Sequence, residues 1–240
     1  AQQAIDFLLG VVRFTAAYNN PSIVPPALKA EVDLLLALYV GDNATPLNLS
    51  NGVTSVDELE IFGKTSFGVL YDEGSVVPRD AAKSLGFYVA IVNYVNEYDA
   101  LPQAQKDIVD DFLLPLGIDL SNGVNTLPEL QAMADPDNGI LFELDGITLK
   151  HPGDLATFFG LINQFVTQFN AISNPLEKTA VNTLLGLYGI NLTDGPLTPA
   201  EIAIFADTDT GILYDELGAE RPAQQAIDFL LGVVRFTAAY

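Results

Sequence analysis

Two short acidic turns are the segments of this chain whose residue types and spacing are suited to binding a metal ion. They lie at residues 135–139 (DPDNG) and 207–211 (DTDTG), and further carboxylates follow each turn within a few residues. Calcium takes about six to eight oxygen ligands, and a glycine after alternating carboxylates lets the backbone wrap around the ion. The sequence therefore predicts calcium as a cofactor. The candidate ligands are Asp135, Asp137, Glu143, Asp207, Asp209, Asp215 and Glu216.

Over these few residues the turns are loosely similar to EF-hand calcium loops, with one difference in spacing. An EF-hand loop has its glycine at the sixth position, whereas the glycine here is the fifth residue of the turn. The corresponding segment earlier in the chain has Lys64 and Ser66 in place of the aspartates, so we expect no metal site there. The alternative interpretation is a plain helix-terminating turn, because Asp and Asn favour such turns.

A second oxygen-rich segment precedes a predicted short helix, at residues 119–123 (DLSNG) and 191–195 (NLTDG). Glu129 and Glu201 follow at the start of that helix, so a cation held jointly with the acidic turn is one interpretation. The other is a capping box, in which a Ser or Thr and a Glu three residues later each accept a hydrogen bond from the other's backbone N–H. The pattern favours the capping box, at Ser55 with Glu58, Thr126 with Glu129 and Thr198 with Glu201.

The residue types that most catalytic sites need are scarce. The chain has no cysteine and a single histidine, His151, which excludes a cysteine nucleophile, a repeated histidine-based triad and a zinc cluster. The sequence contains no Gly-rich phosphate loop and no nucleophile elbow. Because its carboxylates recur at equivalent positions, a unique active site is not expected, and we predict that the protein is not an enzyme.

The dominant feature of the sequence is repetition at two scales. Residues 1–18 and 223–240 share the same eighteen letters, AQQAIDFLLGVVRFTAAY, and their start positions lie 222 residues apart. We interpret the chain as one 222-residue repeat unit followed by the opening of the next, cut from a longer tandem-repeat protein. Within the repeat unit, three blocks align without gaps and keep two glycines at constant spacing. These blocks are residues 48–73, 119–144 and 191–216.

Each block belongs to a module that the sequence predicts to be helical. Apolar residues at i, i+4, i+7 and i+11, as in Phe7, Val11, Phe14 and Tyr18, indicate a long first helix. A second helix, opened by proline and stopped by glycine, is expected at 25–40, 102–118 and 175–190. The short capped helix, the acidic turn and an extended segment of the form Gly-[Val/Ile]-Leu-[Tyr/Phe] follow.

The predicted fold class is therefore all-α, as a tandem array of three diverged helical modules, with a solenoid as one possible arrangement. The modules are expected at residues 1–80, 81–154 and 155–222, and residues 223–240 are expected to form the first helix of the next repeat unit. A module of this length has a modest core. Stacking on its neighbours would bury its aromatic stripe more completely.

Composition restricts the partners and the location. The chain carries 31 acidic residues against 10 Lys and Arg, for a net charge of −21, so its surface repels nucleic acid and anionic lipid and attracts cations. No apolar run approaches the roughly 20 residues needed to cross a bilayer, so we expect no membrane insertion. Glycosylation sequons favour an extracellular or cell-surface protein with possible glycans at Asn43, Asn48 and Asn191.

Taken together, these features favour a structural repeat unit of a long extracellular filament, sheath or adhesin-type protein. It is expected to be stabilised by calcium and to associate with itself, head to tail, through neighbouring repeat units. The alternative is a helical carrier module whose aromatic stripes line a cavity for a lipid or another apolar ligand. The sequence favours the structural role, since aromatic residues at helical spacing usually form a core.

Overall fold

A computed structural model describes most of the chain, and the described part is α-helical. The described residues are 2–64, 68–71, 77–135, 140–141, 149–194, 197–207, 210–214 and 219–240. Within these ranges there are ten α-helices, three short 3₁₀ turns and two isolated β-bridges, with no β-strand. The predicted all-α class is confirmed.

The helices follow one another in a recurring order: a long helix, a second helix of 8 to 12 residues that we call intermediate, and a short helix of 8 residues. This order occurs three times, and a fourth long helix closes the chain. The long helices are α1 (Gln2–Tyr18), α4 (Ala81–Asp99), α7 (Pro152–Asn170) and α10 (Ala223–Ala239). The intermediate helices are α2 (Lys29–Leu36), α5 (Gln103–Leu113) and α8 (Pro175–Gly186). The short helices are α3 (Val56–Gly63), α6 (Leu127–Ala134) and α9 (Pro199–Ala206).

The intermediate helices are shorter than the sequence pattern predicts. Helix α2 begins only after a 3₁₀ turn at Pro26–Leu28, and α5 gives way to another at Leu114–Leu116. Gly117 and Gly189 lie a few residues beyond α5 and α8 with φ of 78° and 91°, a left-handed conformation that stops a helix. The predicted stop at Gly41 does not have this geometry, because its φ is not positive and Ala44 takes the left-handed conformation instead.

The chain divides into two compact bodies, each with its own core. The N-terminal body is Ala1–Gly153 and the C-terminal body is Asp154–Tyr240. In the N-terminal body, α1 packs against α3 and α4, and α4 also packs against α2. In the C-terminal body, α10 packs against α8.

An aromatic pair links the long and the short helix of a module at the same place in both bodies. Phe14 of α1 meets Phe62 of α3 edge-to-face, with ring centroids 5.4 Å apart. Phe165 of α7 meets Phe205 of α9 in the same way, also at 5.4 Å. All four side chains are fully buried. The predicted aromatic stripe is therefore core at these positions, where edge-to-face packing adds to the free energy gained by burial.

Candidate functional site

In the acidic turn at 135–139 the structure describes Asp135, which ends a short helix. In the turn at 207–211 it describes Asp207, which also ends a short helix, together with Thr210 and Gly211. Asp135 follows α6 and has φ −68° and ψ 114°, and Asp207 follows α9 and has φ −75° and ψ 114°. Both residues are exposed. Lys64 ends α3 with nearly the same angles, −65° and 130°. The backbone at this one position therefore has nearly the same conformation with or without a carboxylate.

The remaining candidate calcium ligands lie outside the described residues. These are Asp137, Glu143, Asp209, Asp215 and Glu216. Among the residues that the structure describes, no cluster of three or more Asp, Glu or His side chains is arranged to hold a metal ion. The calcium site thus stays a prediction, to be tested by binding.

The three capping boxes are confirmed, and in two of them the glutamate also reaches the preceding loop. Glu129 Oε2 accepts hydrogen bonds from the backbone N–H groups of Asn125 and Thr126 and from the Thr126 hydroxyl, at 2.8–3.1 Å. Its Oε1 accepts from the N–H of Asp119, ten residues upstream, at 3.2 Å. Glu201 repeats the arrangement, accepting from Thr198 and, at 2.8 Å, from the N–H of Asn191.

These glutamates, with Glu58, are the buried carboxylates of the described chain. Burial by itself raises the pKa of Glu58 and Glu201, but hydrogen bonds from the neighbouring backbone outweigh it and lower the pKa of both groups below 4.5. Since protein donors already satisfy the carboxylate of Glu129 and Glu201, the loop needs no metal ion to hold it. The capping interpretation explains both glutamates.

The extended segment Gly-[Val/Ile]-Leu-[Tyr/Phe] connects to the start of the next long helix by the same backbone hydrogen bond in all three aligned copies. The N–H of Arg79 donates to the carbonyl of Leu70 at 2.7 Å. Equivalent bonds run from Lys150 to Leu141 and from Arg221 to Leu213, at 2.9 and 2.7 Å. This recurring hydrogen bond holds the extended segment next to the residues that lead into the following long helix.

In the N-terminal body the extended segment also touches the long helices on either side of it. The Ser84 hydroxyl of α4 donates to the carbonyl of Val69 at 3.0 Å. On the other side, a Cβ added at Gly10 of α1 would lie 2.9 Å from Leu70 Cδ2 and 3.2 Å from Pro78. Gly10 therefore allows α1 to approach this segment closely.

A lysine and an aromatic ring at the end of the long helix form a recurring cluster that the sequence interpretation missed. The Nζ atoms of Lys29, Lys106 and Lys178 lie 3.9, 5.1 and 4.9 Å from the ring centroids of Tyr18, Tyr98 and Phe169, respectively. Such cation–π contacts join the long helix to the intermediate one. The available signal was the lysine itself, which occupies the same aligned position in all three modules.

In the first two modules, the tyrosine at the end of the long helix also forms a hydrogen bond with an aspartate of the intermediate helix. Tyr18 donates a hydrogen bond to Asp33, and Tyr98 donates to Asp110 at 2.6 Å. Burial, followed by the hydrogen bond to the aspartate, raises the pKa of each tyrosine.

The third module has Phe169 and Asn182 at these two positions. Because the phenylalanine has no hydroxyl, Asn182 instead accepts from the N–H of Leu192 and donates to Asn191, both at 2.9 Å. The two positions therefore change together, and each module keeps its intermediate helix tied by hydrogen bonds.

The other residues singled out from the sequence lie on the surface or at its edge. Asn43 and Asn48 are exposed, whereas Asn191 is half-buried and hydrogen-bonded to Asp194 and Asn182. His151 lies 2.7 Å from Glu97 before α7. None of the helices within the described ranges combines the length and the apolar character needed to cross a membrane.

One apolar groove in the N-terminal body bears on the carrier alternative. It has a volume of about 340 Å³ and lies beside Leu34, Leu38, Ile91 and Val95, within the size range of small-molecule sites. Its lining residues are aliphatic and polar, and the aromatic residues Phe14 and Tyr94 do not line it. The carrier role as predicted, with aromatic stripes around the ligand, stays an alternative prediction.

The last surface that concerns function is where a long helix packs on the intermediate helix that comes before it in the chain. Helix α4 packs against α2, and α10 packs against α8. Residues 223–240, which include α10, have the same sequence as residues 1–18, which include α1. Comparison with models of known protein families, with curated proteins and with solved structures finds no match to this chain.

Proposed function

We propose that this chain is a structural repeat unit of a long extracellular array, such as a filament, a sheath or an adhesin stalk. The observation that carries the proposal is the junction contact of α10. A helix identical in sequence to α1 packs on α8, and α4 packs on α2. In the proposed array, contacts of this kind would join successive modules and repeat units, as in proteins whose stability is a sum over nearest neighbours.

The recurring contacts within modules support the same proposal. The capping glutamates, the hydrogen bond that holds each extended segment, and the lysine over the helix-end ring occur in the first, second and third modules alike. These contacts join one secondary-structure element to another. A framework repeated in this way suits a mechanical or scaffolding role, in which each copy must present the same surfaces to its neighbours.

The direct test is a chain with two complete repeat units before the terminal eighteen residues. Because each added junction buries apolar surface, the two-unit chain should unfold at a higher temperature than the 240-residue chain. A matched control carries a flexible Gly/Ser linker between the two units and should unfold like the single unit. Equal melting temperatures for all three chains would contradict a stacked array.

Calcium is the second part of the proposal, and it predicts a measurable stabilisation. A ligand that binds only the folded state at about 100 times its Kd stabilises that state by about 2.7 kcal/mol, which is several degrees in Tm. We therefore expect calcium to raise the Tm of the chain and a chelator to reverse the change. An Asp207→Ala, Asp209→Ala double variant keeps the turn at 135–139 and should show a smaller rise.

The matched control for calcium removes the same charge elsewhere, at Asp42 and Asp228, which are exposed. This control variant should keep its response to calcium. A Tm that does not change with calcium in any sample would show that the acidic turns only end the helices.

The extracellular location is a separate part of the proposal. Glycosylation at the exposed Asn43 or Asn48 in a eukaryotic host that secretes the protein would support it.

A further inference from the structure

Helices α1 and α10 have the same sequence but bury different faces. Helix α1 buries Gly10, Val11, Phe14 and Tyr18. Helix α10 exposes the equivalents of Phe14 and Tyr18, Phe236 at 74% and Tyr240 fully. The buried residues of α10 are Ala223, Ala226, Ile227 and Leu230. The last three correspond to Ala4, Ile5 and Leu8 of α1.

The equivalent face of α1 is open. Ala4 is exposed, and the side chains of Ile5 and Leu8 are 51% and 53% exposed. Leu230, which corresponds to Leu8, is only 8% exposed. One amphipathic sequence thus has two apolar faces. We name the face formed by residues 4, 5 and 8 of this sequence the rear face, and the face formed by residues 10, 11, 14 and 18 the front face.

Helix α4 shows what happens to such a helix between two modules. It stands at the junction of the first and second modules and packs against both α1 and α2. Its buried residues include the equivalents of both faces. For the rear face these are Ser84, Leu85 and Tyr88, and for the front face they are Ala90, Ile91, Tyr94 and Tyr98. A long helix inside the array therefore buries both faces, and α1 and α10 each bury one.

A charged pair joins α10 to α8. Arg235 of α10 donates two hydrogen bonds to the carboxylate of Glu177 on α8, at 2.7 and 3.1 Å, a bidentate geometry specific to arginine. The hydrogen bond from Arg235 lowers the pKa of Glu177.

Four aligned positions earlier in the chain hold uncharged residues: Asn93 and Gln164 stand where α10 has Arg235, and Leu28 and Gln105 stand where α8 has Glu177. Arg13 of α1 stands where Arg235 stands in α10. It has no ion pair within the described part of the chain. A copy of the α8 surface would therefore supply Arg13 with the carboxylate that Arg235 already has.

We propose that the rear face of α1, with Arg13 beside it, is a docking surface for the α8 surface of another copy of this chain, and that Glu177 selects it by pairing with Arg13. The proposal rests on the tandem array proposed above and identifies the surface that joins one repeat unit to the next. Within a copy, α10 covers its own α8. Between copies the contact is heterologous, so each added copy presents a further α1 rear face or α8 surface for the next.

The test uses the whole chain and releases α10 from α8 with a Leu230→Asp substitution. Burying a carboxylate in place of Leu230 is unfavourable, so α10 leaves and the α8 surface opens. Sedimentation equilibrium should then show oligomers that grow with concentration, while the wild-type chain stays monomeric. Adding Leu8→Asp should weaken this association by about tenfold or more, since the loss of one buried leucine is worth that much.

The matched control is Leu114→Asp in the same background. Leu114 is 53% exposed, the same as Leu8, but lies outside α1. Association should therefore survive in this variant. A Leu230→Asp chain that keeps its helix content and stays monomeric would overturn the proposal. So would an association that Leu8→Asp leaves unchanged.

Charge reversal tests the selection by Glu177. In the Leu230→Asp background, Arg13→Glu should weaken association, and a second chain carrying Glu177→Arg should restore it when the two are mixed. If Leu230→Asp unfolds more than α10, Leu230→Ala takes its place and the same outcomes decide. If the Leu230→Asp chain does not associate but the two-unit chain has a raised melting temperature, the docking surface alone is overturned. If the two-unit chain has no raised melting temperature, the proposed array is overturned as well.

Discussion

Replacing Phe14 with alanine should destabilise the chain by about 3–5 kcal/mol, whereas the same replacement at Phe236 should cost less than about 0.5 kcal/mol. The two residues occupy the same position in identical eighteen-residue sequences. Phe14 is fully buried against Phe62, and Phe236 is 74% exposed. Because helix propensity and sequence neighbours are matched, the difference measures tertiary burial alone.

Urea unfolding followed by circular dichroism gives the two free energies, with the m-value as a check that the unfolded states are comparable. The N-terminal and C-terminal bodies are compact on their own, so two transitions are expected if they unfold separately. Phe14→Ala should then shift only the transition of the N-terminal body. Equal losses at the two positions would contradict the burial of the front face in α1 and its exposure in α10.

The second large effect concerns the capping glutamate of the third module. Glu201→Ala should cost about 2–4 kcal/mol, because it leaves the backbone N–H groups of Asn191 and Thr198 without their acceptor. Glu220→Ala removes the same charge from an exposed position and should be close to neutral. Chemical unfolding of the three chains at pH 7 makes the comparison.

The pH dependence of the same residue has a definite sign. Hydrogen bonds lower the pKa of Glu201 in the folded chain below its ordinary value of 4.5, against the opposing effect of burial. The stability contributed by the ionised group is therefore fully present above pH 4.5 and is lost as the pH falls through the lowered folded-state pKa. A Glu201→Gln variant should lose less stability than the wild type in that acidic range. A parallel acid response in both chains would contradict the shift.

Local features of the sequence were sufficient to predict the helices and their starts. Apolar spacing of about one helical turn placed the long helices, and the Ser or Thr followed by Glu placed all three capping boxes. Both signals depend on residues three or four apart, which a helix brings together without help from the rest of the fold. The ends of the intermediate helices were predicted less well. At α5, 3₁₀ geometry replaces the α-helix over the last turn.

Contacts between residues far apart in the chain were not predictable in the same way. The hydrogen bond from the N–H of Asp119 to Glu129 spans ten residues, and the bond between Tyr98 and Asp110 spans twelve. Each depends on how a loop or a second helix folds back on the first. The sequence does show the aligned lysines and the joint change from Tyr and Asp to Phe and Asn. Only the structure shows that these residues are in contact with one another.

By itself, the sequence determined the helical class, the repetition at two scales and the acidic surface, because these follow from composition and from spacing within one helix. Tertiary structure alone decided which face of a repeated helix is buried. The eighteen residues of α1 and α10 have one pattern of apolar side chains, yet α1 buries the front face and α10 the rear face. The physical reason is that burial depends on the neighbour a helix packs against, and identical helices here have different neighbours.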